Sequence, residues 1–174
     1  MKNIVLVGFM GSGKTTIGRL LSSAFTLDFL DTDALIEEKE QVSISDIFKY
    51  KGESYFRQSE TNVLKSLLDE EKHSIILSTG GGMVLKDENV KLMKEIGMVI
   101  YLSASPQTIA LRLENDTTRP LLEGKDKLEF ITKLLEDRQK FYKNAADYII
   151  HTDDKSLEEI IKEVEGIYEK TNGN

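Results

Sequence analysis

Eight consecutive residues, Gly8-Phe9-Met10-Gly11-Ser12-Gly13-Lys14-Thr15, restrict what this chain can fold into more than any other stretch. They follow the apolar run 4–7 and precede the helix-like run 16–25, so they read as the loop between a buried strand and a helix. In that context the pattern GxxxxGK[ST] is a phosphate-binding loop. The glycines let backbone N–H groups converge on phosphate oxygens, and the helix N-terminus adds positive potential. Lys14 is expected on the β and γ phosphates and Thr15 on Mg²⁺. The candidate nucleotide contacts are therefore Gly11, Ser12, Gly13, Lys14, Thr15 and Thr16, with ATP and Mg²⁺ as ligands. The competing reading, a glycine-rich turn with a surface lysine, leaves the order of strand, loop and helix unexplained. The loop announces a nucleotide and leaves the phosphoryl acceptor open.

Four more short apolar runs, at 27–30, 75–77, 98–102 and 148–150, alternate with helix-like sequence. Parallel strands need crossover connections, so the alternation predicts an α/β fold of three layers: a central five-stranded parallel sheet flanked by helices. Ligands of such sheets gather at the strand C-terminal ends. A length of 174 residues suits one domain, 1–174. Ser105-Pro106 supplies an N-cap and a first-turn proline for a helix to about Leu113. The polar stretch 114–127, with Arg119-Pro120 and Gly124, has no apolar period and is expected to form a mobile lid. A last helix over 156–169 is expected to give way to a frayed polar tail, 170–174.

The net charge of -7, from 23 basic and 30 acidic side chains, opposes nucleic acid and anionic membranes as partners. No apolar run is long enough to cross a membrane, and the absence of cysteine rules out disulfides and thiolate metal sites. A cytoplasmic monomer is the default expectation.

Charged residues on apolar helix faces point to the acceptor. At about 100° per residue, Leu128, Ile131, Leu134, Leu135, Phe141, Tyr142 and Ala145 share one face of a helix over 127–145, and Arg138 falls in its middle. A guanidinium there needs an anion, either a buried acid of the protein or a ligand carboxylate or phosphate. Arg57 and Glu60 interrupt the stripe of Phe56, Val63, Leu64, Leu67 and Leu68 in the same way. Spaced i, i+3, they can bridge internally, or Glu60 can hold Arg57 for a ligand. Asp31-Thr32-Asp33 ends the second strand. Asp33 reads either as the N-cap of a helix over 34–39 or as the residue on the acceptor hydroxyl, and Asp31 as a magnesium ligand through water. Gly80-Gly81-Gly82 after the third strand is a flexible turn or a place where backbone N–H groups approach a substrate closely.

Taken together, GFMGSGKT, the DTD at Asp31, GESYFRQSE from Gly52, GGG at Gly80, RPLL at Arg119, and Arg138 with Tyr142 resemble the shikimate kinases over nearly the whole chain. The resemblance implies a nucleoside-monophosphate-kinase-like fold and transfer of the ATP γ-phosphoryl group to the 3-hydroxyl of shikimate, in aromatic amino acid biosynthesis. It implies that Asp33 orients the acceptor hydroxyl, that Arg57 and Arg138 hold the shikimate carboxylate, and that the backbone of Gly80, Gly81 and Gly82 meets the ring substituents. Lys14 and Arg119, the latter arriving with the lid, would then serve the γ-phosphate. Arg112 matches an arginine that stacks on adenine, and reads equally as a solvated helix charge. Two alternatives stay in view: a same-fold kinase for another small hydroxy acid such as gluconate, and a catalytically silent nucleotide-binding domain.

Overall fold

The computed structural model describes residues 3–114 and 126–172. Five strands form one parallel sheet: β1 (Asn3–Val7), β2 (Asp28–Asp31), β3 (Ile75–Ser78), β4 (Gly97–Ser103) and β5 (Tyr148–His151), in the order β2-β3-β1-β4-β5. Each falls within a residue of an apolar run in the sequence, because a strand covered on both faces reads as continuous hydrophobic sequence. The period of two divides the core. Val5, Val7, Leu77, Val99 and Tyr101 join one buried cluster, and Ile4, Leu6, Ile76, Ile100 and Leu102 the other.

Helices α1 (Lys14–Phe25) and α8 (Leu157–Asn172) cover the second face through Ile17, Leu21, Ile160 and Val164. The first face is covered by α2 (Thr32–Glu40), α3 (Ile44–Tyr50), α4 (Glu53–Asp69), α5 (Asp87–Ile96), α6 (Pro106–Arg112) and α7 (Lys127–Ala145). The result is the expected three-layer arrangement. Central β1 has β3 on one side and β4 on the other while the chain leaves it for the far edge at β2, so strand order reverses at its C-terminal end. Such a switch point opens a crevice for a ligand, and the phosphate loop occupies it.

Three expectations need correction. The N-cap at the second strand is Asp31 and not Asp33: β2 runs through Asp31 and α2 begins at Thr32, so the Asp31 carboxylate accepts from the N–H groups of Asp33 and Ala34. The helix expected over 156–169 continues to Asn172, with Lys170 and Thr171 inside it; Thr171 Oγ1 donates to the Ile167 carbonyl at 2.8 Å and lies 3.8 Å from Met98 Sδ. Leu128 is on the first turn of α7 but 41% exposed, because the buried face of that helix begins at Ile131. The expected lid falls mostly on 115–125, outside the described residues, and Arg119 with it. Its flanks meet: Lys127 Nζ donates to the carbonyls of Leu113 at 3.2 Å and Glu114 at 3.0 Å.

Candidate active site

The phosphate loop leaves β1 at Gly8, where the left-handed φ of +154° and a Leu102 carbonyl 2.7 Å from the place of a Cβ both exclude a side chain. Ser12 N–H closes the loop onto the Phe9 carbonyl at 3.1 Å. Ser12 is fully buried, and its Oγ has no hydrogen-bond partner among the described residues. Lys14 begins α1 and curls back over the loop, its Nζ donating to the carbonyls of Gly8 at 2.8 Å and Phe9 at 3.0 Å. Gly11, Ser12, Gly13, Lys14, Thr15 and Thr16 line one cavity of about 590 Å³ together with Asp31, Asp33, Gly80, Gly81 and Arg112. The sequence-predicted nucleotide residues thus share one concave wall.

Asp31 divides its carboxylate between two tasks. Oδ1 caps α2, accepting from Asp33 N–H at 3.0 Å, while Oδ2 faces the loop 3.5 Å from Thr15 Oγ1. A hydroxyl and a carboxylate at the phosphate end of the cavity are hard oxygen donors. That sparse set fits Mg²⁺, which retains waters and shares phosphate oxygens instead of demanding a protein cage.

The opposite wall is the glycine turn after β3. A Cβ on Gly80 would stand 2.9 Å from Asp33 Oδ1 and 3.0 Å from Glu60 Oε1, and one on Gly82 would stand 2.4 Å from Arg57 Nη1. Side chains on the turn would occupy the space of the groups that bracket it. The same test at Gly81 finds the Gly8 carbonyl and Met10 N–H at 3.5 Å and Tyr142 Oη at 3.8 Å, which places the turn against the phosphate loop. Thr32 Oγ1, a contact the sequence did not suggest, accepts from Gly80 N–H at 3.0 Å and ties the turn to α2. Tyr142 Oη donates to the Gly81 carbonyl at 2.6 Å, and the positive charge of Arg138 acts on the same hydroxyl. The α7 face therefore delivers both its arginine and its tyrosine to this wall.

Arg57 and Glu60 do bridge, Nη1 to Oε2 at 2.9 Å, and Arg57 also meets Glu53 Oε1 at 3.1 Å. Burial pulls the Arg57 pKa down, but Glu60 and Glu53 outweigh it and the net shift is upward, so the guanidinium stays charged. Glu60 moves up from the usual carboxylate range: burial is the largest cause, Asp33 adds to it, and Arg57 and Arg138 only partly offset it. Arg138 is half-buried, and its charge acts on both Glu60 and Tyr142. The internal bridge is present, and the guanidinium it holds is 26% exposed, which leaves donors open to a ligand.

Arg112 is exposed but not without partners. Its guanidinium donates to the carbonyls of Gly11, Ser12 and Thr152 and to Thr152 Oγ1 at 3.3–3.4 Å, bridging the phosphate loop to the segment after β5. It lines the cavity beside Leu113 and Lys155. Buried Thr152 and the carboxylate of Asp153 were not legible as site residues. Asp153 accepts from Ser105 N–H and Thr108 Oγ1, fixing α6 and hence Arg112.

Comparison with known proteins agrees with this geometry. The family model described as shikimate kinase matches residues 10–167. A shikimate kinase of Caldicellulosiruptor saccharolyticus is 48% identical over 153 residues, covering 88% of this chain and 87% of the relative. One from Bacillus mycoides is 46% identical over 164 residues, covering 94% and 96%. Among solved structures, the Acinetobacter baumannii shikimate kinase in complex with shikimate has a TM-score of 0.90 at 34% identity, covering 99% of this chain and 95% of that one. The Aquifex aeolicus shikimate kinase has a TM-score of 0.79 at 36% identity, covering 97% of each.

Proposed function

The chain belongs to the shikimate kinase family, and we propose that it transfers the γ-phosphoryl group of ATP to the 3-hydroxyl of shikimate across the gap between its phosphate loop and its glycine turn. The observation that carries this reading is the Gly80–Gly82 turn, with Asp33 and Glu60 over one end, Arg57 at the other and the phosphate loop against its middle.

The acceptor has two kinds of handle, a carboxylate and ring hydroxyls, and the turn offers a counterpart to each. Arg57 and Arg138 supply planar donors to the carboxylate, and the charge of the ligand compensates a cluster of guanidinium groups that Glu60 alone does not neutralise. Asp33 accepts from the 3-hydroxyl, aims its oxygen along the line toward the loop, and is placed to take its proton. As the new O–P bond forms, the bond between the γ phosphorus and the bridging oxygen breaks and ADP leaves.

Catalysis of this kind is mostly positioning and charge stabilisation. Lys14 is poised for that: its ammonium now satisfies two loop carbonyls, and exchanging these for phosphate oxygens needs only a side-chain rotation. Ser12 Oγ, buried in the loop, is a further donor for phosphate. Mg²⁺, held by Thr15 and, through water, by Asp31, would neutralise charge on the phosphates. Arg119 would join the γ-phosphate from the lid, and Arg112 would flank the adenine. The reading also takes the enzyme to be a cytoplasmic monomer.

The test is ADP release with shikimate, gluconate or AMP offered as acceptor, for the wild type and for Asp33→Asn. Turnover is expected with shikimate alone, reduced about 10²–10⁴-fold in the variant, the range of a lost general base or orienting group. Turnover with gluconate instead would move the assignment to a kinase of another hydroxy acid, and none with any acceptor would make the chain a binding domain.

A further inference from the structure

One buried polar group at the acceptor wall has no part in the reaction as described. Tyr142 is fully buried on α7 and stacks on Tyr101 of β4, with ring centroids 5.0 Å apart and planes at 17°. Its hydroxyl donates to the Gly81 carbonyl at 2.6 Å, 61 residues away in sequence. Burial raises its pKa, the largest influence on it, so the proton that makes the bond to Gly81 stays in place at physiological pH. A phenol has one proton to give, and here it goes to the turn.

We infer that Tyr142 is a positioning residue for the acceptor: its hydroxyl fixes the Gly80–Gly82 turn against α7, the helix that carries Arg138. The inference rests on the reading that these two elements receive shikimate. The described peptide bonds are all trans, so the Gly81 carbonyl and the Gly82 N–H point in opposite directions. Pinning the carbonyl to α7 turns the Gly82 N–H away from that helix, toward the acceptor. Glycines have no side chain with which to hold such an orientation, and three in a row would otherwise spend much of their time elsewhere. The hydrogen bond to Thr32 restrains the near end of the turn, and the bond to Tyr142 its middle. The stacked ring matters for a second reason. Tyr101 lies on β4, so the hydroxyl is referred to the rigid sheet and not only to α7.

The experiment is a steady-state comparison of wild type, Tyr142→Phe and, as a control, Tyr101→Phe, which also loses a stacked phenol but makes no contact with the turn. Tyr142→Phe keeps the ring and its packing. It is expected to raise KM for shikimate about tenfold, the effect of losing one net hydrogen bond, with KM for ATP within twofold of wild type. The shikimate-induced rise in melting temperature should shrink in this variant while the ATP-induced rise persists, a readout that holds even if the variant is less stable. Should Tyr142→Phe fail to fold, 4-aminophenylalanine at 142 preserves the packing and gives the Gly81 carbonyl a weaker donor. It is expected to raise shikimate KM about twofold to threefold, with ATP unaffected. An unchanged shikimate KM in either form, or equal losses for both substrates, overturns the inference. Absence of shikimate turnover in the wild type overturns instead the reading beneath it.

Discussion

Arg57 Nη1 lies 2.9 Å from Glu60 Oε2, one turn away on α4, and the carboxylate is fully buried while the guanidinium remains 26% exposed. The asymmetry fits the proposed roles, Glu60 as the hidden brace and Arg57 as the presented cation over Gly82. Replacing Glu60 by Ala leaves a half-buried guanidinium with only the exposed Glu53 as partner. We expect a loss of about 2–4 kcal/mol in urea unfolding, near the lower end of what breaking a buried pair costs, and at least a tenfold rise in KM for shikimate.

The same carboxylate gives a pH signature. Its folded pKa is raised above the usual 4.5, so the folded state binds a proton more readily than the unfolded one. The stability it contributes is complete below pH 4.5 and lost as pH rises through the folded value. Wild type should therefore gain stability relative to Glu60→Gln as pH falls from 7 toward 4.5 and then run parallel to it, in urea melts taken along the series. A difference independent of pH would show that Glu60 is not held against its charge.

Arg138→Ala removes the planar cation proposed to meet the acceptor carboxylate. A charge-assisted hydrogen bond is worth about 1.5–3 kcal/mol, so KM for shikimate should rise roughly 10- to 150-fold with the affinity for ATP unchanged. Equal weakening of both substrates, measured by titration calorimetry, contradicts the assignment.

Gly80→Ala places a methyl group 2.9 Å from Asp33 Oδ1 and 3.0 Å from Glu60 Oε1. Both carboxylates must move, and Asp33 is the group proposed to orient the acceptor. The expected outcome is a loss of kcat of about 10²-fold, the scale of a misplacement near 1 Å, with the fold intact by circular dichroism. Near-normal kcat would mean that Asp33 can shift without consequence.

Glu88 at the start of α5 sits between Lys65 at 2.7 Å and Lys86 at 2.9 Å, and these two lysines draw its pKa down to about 2. A depressed carboxylate stabilises above its unfolded value of 4.5 and loses that contribution as pH falls toward 2. Glu88→Gln should flatten this part of the acid unfolding curve. The difference should shrink in 1 M salt because the groups are exposed and screened.

The strands, the phosphate loop and both limits of α7 were legible because each is a local property. Continuous apolar runs mark doubly covered strands, eight residues specify a phosphate cradle, and the 3.6 period marks 127–145. The anomalous charges Arg57, Glu60 and Arg138 were also visible as breaks in that period. The capping role of Asp31 was less so: with acids at 31 and 33, the cap depends on where β2 stops, which pairing with β3 decides. Thr32 on Gly80 and Arg112 across the phosphate loop were invisible, since the first pair is 48 residues apart and the second about 100.

The sequence by itself determined that this chain binds a nucleotide at a loop between a strand and a helix, because backbone geometry there follows from residue type. It also showed that cations stand where an apolar surface should be. Only the tertiary structure decided what those cations face. Arg57, Arg138, Asp33 and Tyr142 come from three helices, and packing against one parallel sheet brings them to a turn of three glycines, whose missing side chains make the room.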